Sequence, residues 1–417
     1  MLILRGHKVS LQNGLNAVFE SLKQLRRVPT ASAFCQARQK LKPSIFIELN
    51  RLVCEEYYKP EQLEPSDNPD SADSADSAEQ GWRGRRVLGF DGTYVNVPDT
   101  PELRKAFSVQ TNQLEHGQRV QALAGVLYDV YNDIGLASDI GPKQGEQDIL
   151  MSDAVWSATQ PSDVLVMDRN FVDFALIAWA VKHNRDVVIR CPTNGFTAIQ
   201  AFWKTSERER VVTLSLPLHP NTRRFVRKHR LPESVQVRLM KFALPNGGNS
   251  RNGDTEMLLT TLCDAAAFPT HEFYSLYAKR WNQETYFDRI KNIFELERFS
   301  GTSEHTIRQD FFGVIFLATL EGALTQPTQV KLQAQDERRH TQTRARVNRV
   351  ISYVALVNHV VALFADPSTA PEQTLEDLQY LFAQTPTRHR TGRRYQRPAL
   401  TASRKLRFHR YTKRIIA

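Results

Sequence analysis

Cysteine is scarce in this chain. Four occur in 417 residues (Cys35, Cys54, Cys191 and Cys263), far apart and with no Cys-x-x-Cys pair. That spacing points away from a zinc site or a dense disulfide framework and suits a reducing compartment. Long apolar runs are missing too. The longest stretch without a charge, residues 350–365, has 16 residues and is interrupted by Ser352, Asn358 and His359. It falls short of the ~20 apolar residues that a membrane-spanning helix needs. The opening "MLILRGHKVS" turns polar after four residues, too soon for a secretory signal. The expectation is a cytoplasmic protein with no membrane partner. Acidic residues are absent from 388 to 414, where eleven Lys and Arg stand. That tail's eleven positive charges are as large an excess as the whole chain carries, +10 with a pI of about 9.4. It reads either as a solvated tail or as a phosphate-binding one, and the two are compatible.

What is present suggests a folded protein of two or three domains, with 41% hydrophobic and 24% charged residues. Residues 1–63 read as helical, with Thr30 or Ser32 placed to cap a short basic helix. Residues 64–84 contain "EPSDNPDSADSADSAEQGW", an acidic, small-residue linker with little to bury. Strand patterns follow at 85–90, 93–97 and 120–130. A helix over "GEQDILMSDAVWSA", a buried strand at 163–168, a helix over "FVDFALIAWAVKHN" and a strand at 186–191 come next. The order is βββ–α–β–α–β, an α/β core spanning 85–191. From 192 to 266 the helical pattern fades into antiparallel strands, a β-rich insertion with a turn at 245–254. Helix returns over 267–325, completing the core, and 326–417 hold a C-terminal helical region and the basic tail.

Two acids stand at strand positions where α/β proteins place chemistry: Asp91 in "VLGFDGT" and Asp168 in "VLVMDRN". A third lies in "YAKRWNQETYFDRIKN", residues 277–292. If this stretch is one helix, Tyr277, Arg280, Glu284 and Lys291 fall within a stripe about 60° wide. Carboxylates gathered without partners repel one another, and oxygen-rich sites of this kind suit Mg²⁺ or Mn²⁺. Two such ions roughly 3.5–4 Å apart serve phosphoryl transfer. Each residue has a plainer reading: Asp91–Gly92 as a turn, Asp168–Arg169 as a strand-end ion pair, Glu284 as a surface carboxylate paired with Arg280. Asp99, Asp129, Asp139 and Asp173 are alternatives by residue type.

The stretch 277–292 fits Y-(2)-R-(3)-E-(6)-K without a departure in spacing, and so resembles the helix that marks the insertion sequence four family of bacterial DDE transposases. "GFDGTYVNVPDTPE" and "LVMDRNF" resemble that family's two aspartate strands, and a β-rich module between second aspartate and glutamate is also its habit. The resemblance covers about 87–300, and "TASAFCQARQKLKP" is similar to the family's N-terminal region. It implies a ribonuclease H-like core with Asp91, Asp168 and Glu284 as catalytic, metal-binding residues. It also implies DNA contacts by Tyr277, Arg280 and Lys291, and Mg²⁺ as cofactor with Mn²⁺ as substitute. The implied reaction frees a 3′-OH at the ends of an element and joins it to target DNA. The implied partners are double-stranded terminal inverted repeats and target DNA, bound by a homodimer on paired ends in the bacterial nucleoid.

No clear helix-turn-helix precedes the core, whereas members of that family often carry more sequence there, so a truncated or a misannotated start is one expectation, which leaves recognition of specific ends open. Nonspecific affinity would then come from the tail and from the basic stretch 26–42 through counterion release. Two alternatives remain. One is a DNA-binding remnant of such an element, acting as a repressor. The other is a nuclease on the same fold without strand transfer, which has no need of the 277–291 stripe.

Overall fold

The computed structural model describes residues 2–5, 10–59, 81–111, 118–243, 255–339, 343–366 and 369–390. Most of the expected linker, the turn at 245–254 and the tail beyond 390 lie outside the described residues. The chain begins with helices α1 (Leu2–Arg5), α2 (Leu11–Ser21), α3 (Ala31–Gln39) and α4 (Ser44–Tyr57). Thr30 caps α3, its hydroxyl accepting from the Ala33 N–H at 3.2 Å. A sheet starts with β1 (Val87–Asn96), followed by α5 (Pro101–Ala106), β2 (Ser108–Thr111), β3 (Gln118–Asp129) and β4 (Ile134–Gly141). Next come α6 (Glu146–Leu150), α7 (Asp153–Trp156), β5 (Val164–Met167), α8 (Phe174–Lys182) and β6 (Asp186–Arg190). Then follow α9 (Thr197–Trp203), β7 (Glu209–Ser215), α10 (Pro220–Lys228), β8 (Ser234–Ala243) and β9 (Thr255–Thr260). The rest is α11 (Thr270–Ala278), α12 (Trp281–Asn292), α13 (Glu304–Arg338), β10 (Thr343–Arg346), α14 (Arg349–Ala365), α15 (Pro371–Gln384) and β11 (Thr387–Arg390).

The architecture is mixed α/β around one nine-stranded sheet, ordered β2-β3-β1-β5-β6-β9-β8-β7 with β4 also on β3. β1, β5 and β6 are parallel neighbours, and the other pairings are antiparallel. Alternation along each strand divides the core into two layers. Val87, Val95, Val164, Val166 and Val188 face α11–α14. Leu88, Phe90, Leu165, Met167, Val187 and Ile189 face α6–α10. Covering both faces is what a sheet with parallel strands at its centre demands.

Three expectations change. The segments at 85–90 and 93–97 are one strand, because β1 pairs with β3 without a break from Leu88↔Asp129 to Asn96↔Gln121. Asp91 is therefore in mid-strand, opposite Val126, and not in a turn. The β-rich stretch 192–266 contains two helices, α9 and α10. Its strands join the central sheet: β9 lies antiparallel on β6 and carries β8 and β7 outward. The single helix expected from 277 is broken, α11 ending at Ala278 and α12 starting at Trp281. Between them Arg280 N–H bonds Tyr277 C=O and Gln283 N–H bonds Arg280 C=O, the tighter i−3 pattern. The basic stretch 26–42 also loses one cation to the interior: Arg38 is buried against Asp310 of α13 at 2.6 Å.

One buried network fixes α12. Asp133, in the left-handed turn after β3 (φ 64°), pairs with Arg289 of α12 at 2.8 Å and with Arg349 of α14. Arg349 reaches Glu321 of α13 at 2.9 Å. Burial alone would push the Asp133 carboxyl up, but the two guanidiniums outweigh it and hold it well below the usual carboxylate range. Breaking such a pair strands a buried charge. We expect Asp133→Asn, which keeps a residue tolerant of φ > 0, to lower unfolding stability by about 3–5 kcal/mol. Urea unfolding measures this, and a loss below about 1 kcal/mol would deny the network its role.

Candidate functional site

The β1–β5 register builds the site. The last paired residues are Gly89↔Val166, and two positions further along come Asp91 and Asp168. Neighbouring strands run about 4.8 Å apart, and both side chains leave on the same face of the sheet. The crowding shows in the charges. The Asp91 carboxyl is pushed up to about 6, first by burial and then by Asp168, while the Gly92 N–H and Arg280 oppose the rise and Glu284 adds to it. Asp91 Oδ1 accepts from the Gly92 N–H at 2.9 Å. Asp168 Oδ1 accepts from the Asn170 N–H at 2.8 Å, the cap of a short turn and not an ion pair with Arg169.

Helix α12 brings Glu284 to the same face. It lies close to β1 because Gly89 has no side chain: an added Cβ would stand 2.4 Å from Gln283 Oε1. Two side chains hold the helix to β3 and the residue after it. Gln283 Nε2 donates to Val126 C=O and Asn282 Nδ2 to Val130 C=O, both at 2.8 Å. Glu284 follows immediately and is exposed, its Oε1 accepting from Arg280 at 2.8 Å.

The rest of the expected stripe is divided. Tyr277 is buried on α11, with the Arg280 guanidinium 5.7 Å from its ring centre, and burial pushes its phenol up to about 12. Arg280 is itself buried and also lies over Trp281 at 5.2 Å. Lys291 Nζ donates to Thr93 Oγ1 at 2.6 Å and to Tyr94 C=O at 2.8 Å, securing α12 to the far half of β1. Burial lowers the Lys291 ammonium.

The alternative acids have structural duties. Asp129 is fully buried, accepting from Tyr58 at 2.6 Å and from Asn132. Asp99 pairs with Arg104, Asp139 lies 4.0 Å from Arg308, and Asp173 caps α8.

One carboxylate was not anticipated from the sequence. Glu146, first residue of α6, is pushed up to about 7 by burial, then by Asp91 and Asp168. It arrives over the opposite face of the sheet from α12. Its signal in the sequence is faint, because an acid opening a helix after glycine reads as a partner for the helix dipole.

Among the described residues no three His, Cys, Asp or Glu side chains are drawn together tightly enough to hold a metal ion. The physical reason is visible: unscreened carboxylates keep apart, and Glu284 is turned to Arg280. The donor set nevertheless fits a hard divalent cation, being all oxygen.

Raised carboxyls are a cost to the cation-free fold. The unfolded chain releases these protons near the ordinary carboxylate values, the folded one only near 6 and 7, so stability falls as pH rises between them. We expect Asp91→Asn to be more stable than wild type at pH 8 without divalent cations, the two converging near pH 4. Urea midpoints across that range are the check, and a variant less stable at pH 8 would contradict the crowding.

Residues 82–320, more than half of the chain, match the family described as a transposase DDE domain. Transposase InsG for insertion sequence element IS4, from Escherichia coli (strain K12), is 24% identical over 244 residues, covering 57% of this chain and 52% of that protein. The chain thus spans about half the length of the curated relative it matches. A cryo-EM structure of a piggyBac transposase synaptic complex with hairpin DNA is 6% identical, with a TM-score of 0.37 over 71% of this chain and 57% of that one. That likeness is too slight to carry an argument. Taken with the acids of β1, β5 and α12, the match over residues 82–320 identifies the chain as a member of the transposase DDE domain family.

Proposed function

We propose that this protein is a transposase that cuts DNA at the ends of an insertion sequence and transfers the freed 3′-OH to target DNA. The observation that carries the reading is the match of residues 82–320 to the transposase DDE domain family, with Asp91 and Asp168 two positions beyond the last paired residues of adjacent strands β1 and β5. We assign Asp91, Asp168 and Glu284 to divalent cations, Mg²⁺ or Mn²⁺ and two in number, in a ribonuclease H-like core formed by β1–β6 with α6, α8 and α12. Bound cations would activate the attacking oxygen and neutralise the leaving one. The protein's own part is positional. The β1–β5 register sets two carboxylates side by side, and the bonds of Gln283 and Asn282 fix the height of Glu284 above them. Arg280 pairs with Glu284 in the absence of a cation; were Glu284 to hold one, the guanidinium would be free to meet a DNA phosphate. Tyr277 would act through Arg280, which lies over its ring, and Lys291, bonded to Thr93, would contribute its charge beside β1.

DNA as partner has further support on α10. Arg224, Arg227 and Lys228 are exposed, the helix has no acidic residue, and these three have no ion pair among the described residues. His229 beside them is pushed down, first by burial and then by Lys228, Lys182 and His183. Lys182, at the end of α8, donates to His229 C=O at 2.6 Å. This basic patch stands one helix length, about 13 Å, from the start of α8 near Asp168. It would engage a duplex segment away from the scissile bond, touching phosphates and not reading sequence. Assembly as a homodimer on paired ends accompanies this reading.

Two experiments follow. Asp91→Asn, Asp168→Asn and Glu284→Gln should each lower Mg²⁺-dependent cleavage of DNA bearing the element's flanking repeats by about 1000-fold, while gel-shift affinity for that DNA stays within about twofold. Wild-type-like cleavage by any of them would remove that residue from the centre, and a wild-type chain that binds but never cleaves would indicate a catalytically decayed remnant. The Arg224→Glu/Arg227→Glu double variant should flatten the slope of log affinity against log salt by roughly 0.9 for each phosphate it no longer neutralises. An unchanged slope would take α10 off the DNA.

A further inference from the structure

Two separate parts of the chain carry cations with no acid among them, and the fold brings them together. No Asp or Glu stands between Glu337 and Asp366, and none follows Asp377. From these stretches come β10, Thr-Arg-Ala-Arg, and β11, Thr-Arg-His-Arg, paired antiparallel over their full length. Register sets Arg344 opposite His389, Ala345 opposite Arg388 and Arg346 opposite Thr387. Cross-strand neighbours in a sheet favour opposite charges, and like charges there repel. This ribbon has basic residues on both strands and an acid on neither.

One face of the ribbon is fastened to α13. Ala345 and Val347 are buried in the same core layer as Leu332 of that helix. Gln329 donates to Ala345 C=O at 3.1 Å and accepts from the Val347 N–H at 3.0 Å. Asp336 accepts from the Ala345 N–H, and from Arg388 at 3.3 Å. Alternation then turns Arg344 and Arg346 the other way, and both are exposed. Arg338 and Arg339, where α13 ends, are exposed as well. At this end of the helix Asp336 is committed to the anchor, and Glu337 is a single exposed acid against four exposed arginines. Shielding a bare strand edge takes a charge or two of either sign. It does not call for cations on both strands and on the helix end that supports them. One sign of charge gathered on a fixed support is instead the footprint of a surface for a polyanion.

We propose that the β10–β11 ribbon is a second DNA-binding surface, laying Arg344 and Arg346 against phosphates of a duplex segment away from the cation centre. The inference rests on DNA as the partner of this chain, as proposed above. Two strands about 4.8 Å apart are narrow enough to follow a major groove about 12 Å wide, with the arginines on the phosphates that border it. Asp336, which anchors the ribbon, lies about 22 Å of helix beyond Glu321, whose pair with Arg349 belongs to the network that fixes α12. The ribbon is carried by helices on the α12 face of the sheet, whereas α10 stands on the opposite face. The two basic surfaces therefore serve separate stretches of DNA. Past Arg390 the sequence runs on into nine more Lys and Arg, so the ribbon stands at the root of the basic tail.

The test is hydroxyl-radical footprinting of the full chain on a duplex carrying the flanking repeats, together with the salt dependence of affinity for that duplex. Wild type, Arg344→Gln/Arg346→Gln and Arg344→Lys/Arg346→Lys are compared, with urea midpoints as the check that the fold is kept. We expect the Gln pair to lose one block of protection while the block over the cleavage site stays. Its slope of log affinity against log salt should flatten by roughly 1.8, or 0.9 for each of two phosphates. The Lys pair should keep both the block and the slope, and both variants should unfold at the wild-type urea midpoint because these side chains point away from the core. A wild-type footprint and slope in the Gln pair would take the ribbon off DNA and leave the transposase reading in place. Even weakening of every block, with none lost, would also overturn the ribbon as a local contact. A wild-type chain that protects no DNA would overturn the ribbon and the DNA reading together.

Discussion

Burial of Asp91 beside Asp168 is the constraint around which the rest of the site is arranged. Asp91 lies on β1 and Asp168 just past the end of parallel β5, and the residues leading up to them (Val87, Leu88 and Phe90; Val164, Leu165, Val166 and Met167) are buried, which holds the two strands in place. A carboxylate at that place keeps its proton well into the range where a solvated one has lost it. The fold tolerates this because its two apolar layers clamp the strands from both sides. Hydrophobic burial throughout the sheet thereby sustains a local electrostatic penalty that a cation would relieve.

The elements around that pair fix how closely α12 and α6 approach it. Gly89 lets α12 settle onto β1, and Gln283 and Asn282 set its height. Asp133, Arg289 and Arg349 secure its far end through charges buried at the junction of α12, α13 and α14. Arg280 pairs with Glu284 at 2.8 Å. The ion pair that would mark Glu284 as an ordinary surface residue is, in this setting, a latch: one guanidinium close to a carboxylate, and both close to where phosphate would lie. Gly92 does for α6 what Gly89 does for α12, on the other face.

Much of this order is legible in the sequence. Asp168 ends an uninterrupted apolar run, and the strand-helix-strand alternation from 163 to 191 is plain, because fully buried strands leave an unmistakable pattern. Asp91 is legible as a strand-associated acid but not as a mid-strand one, since Asp-Gly is also the commonest turn signature and only the pairing with β3 decides. Strand β4, "IGLASDIG", is hidden by its glycines. Its place depends on a left-handed turn at Asp133 and on cover from α4, where Asn50 donates to Gly135 C=O at 2.8 Å. Helix α10 is masked because one apolar pair, Phe225–Val226, is set among cations. The break between α11 and α12 leaves no mark, because Lys279 and Arg280 are good helix formers and the tightening comes from packing. Glu146 is the most instructive case: its meaning lies wholly in a contact with Gly92, 54 positions earlier, that no local pattern encodes.

The central claim is that these carboxylates converge on divalent cations between β1 and β5. The most direct measurement is a crystal structure of the full chain soaked in Mn²⁺, with the ions located by their anomalous scattering. The account predicts anomalous density bounded by Asp91 and Asp168, with the Glu284 carboxylate turned from Arg280 toward it. Mn²⁺ found elsewhere, or none at saturating concentration with Asp91 and Asp168 unchanged, would contradict it.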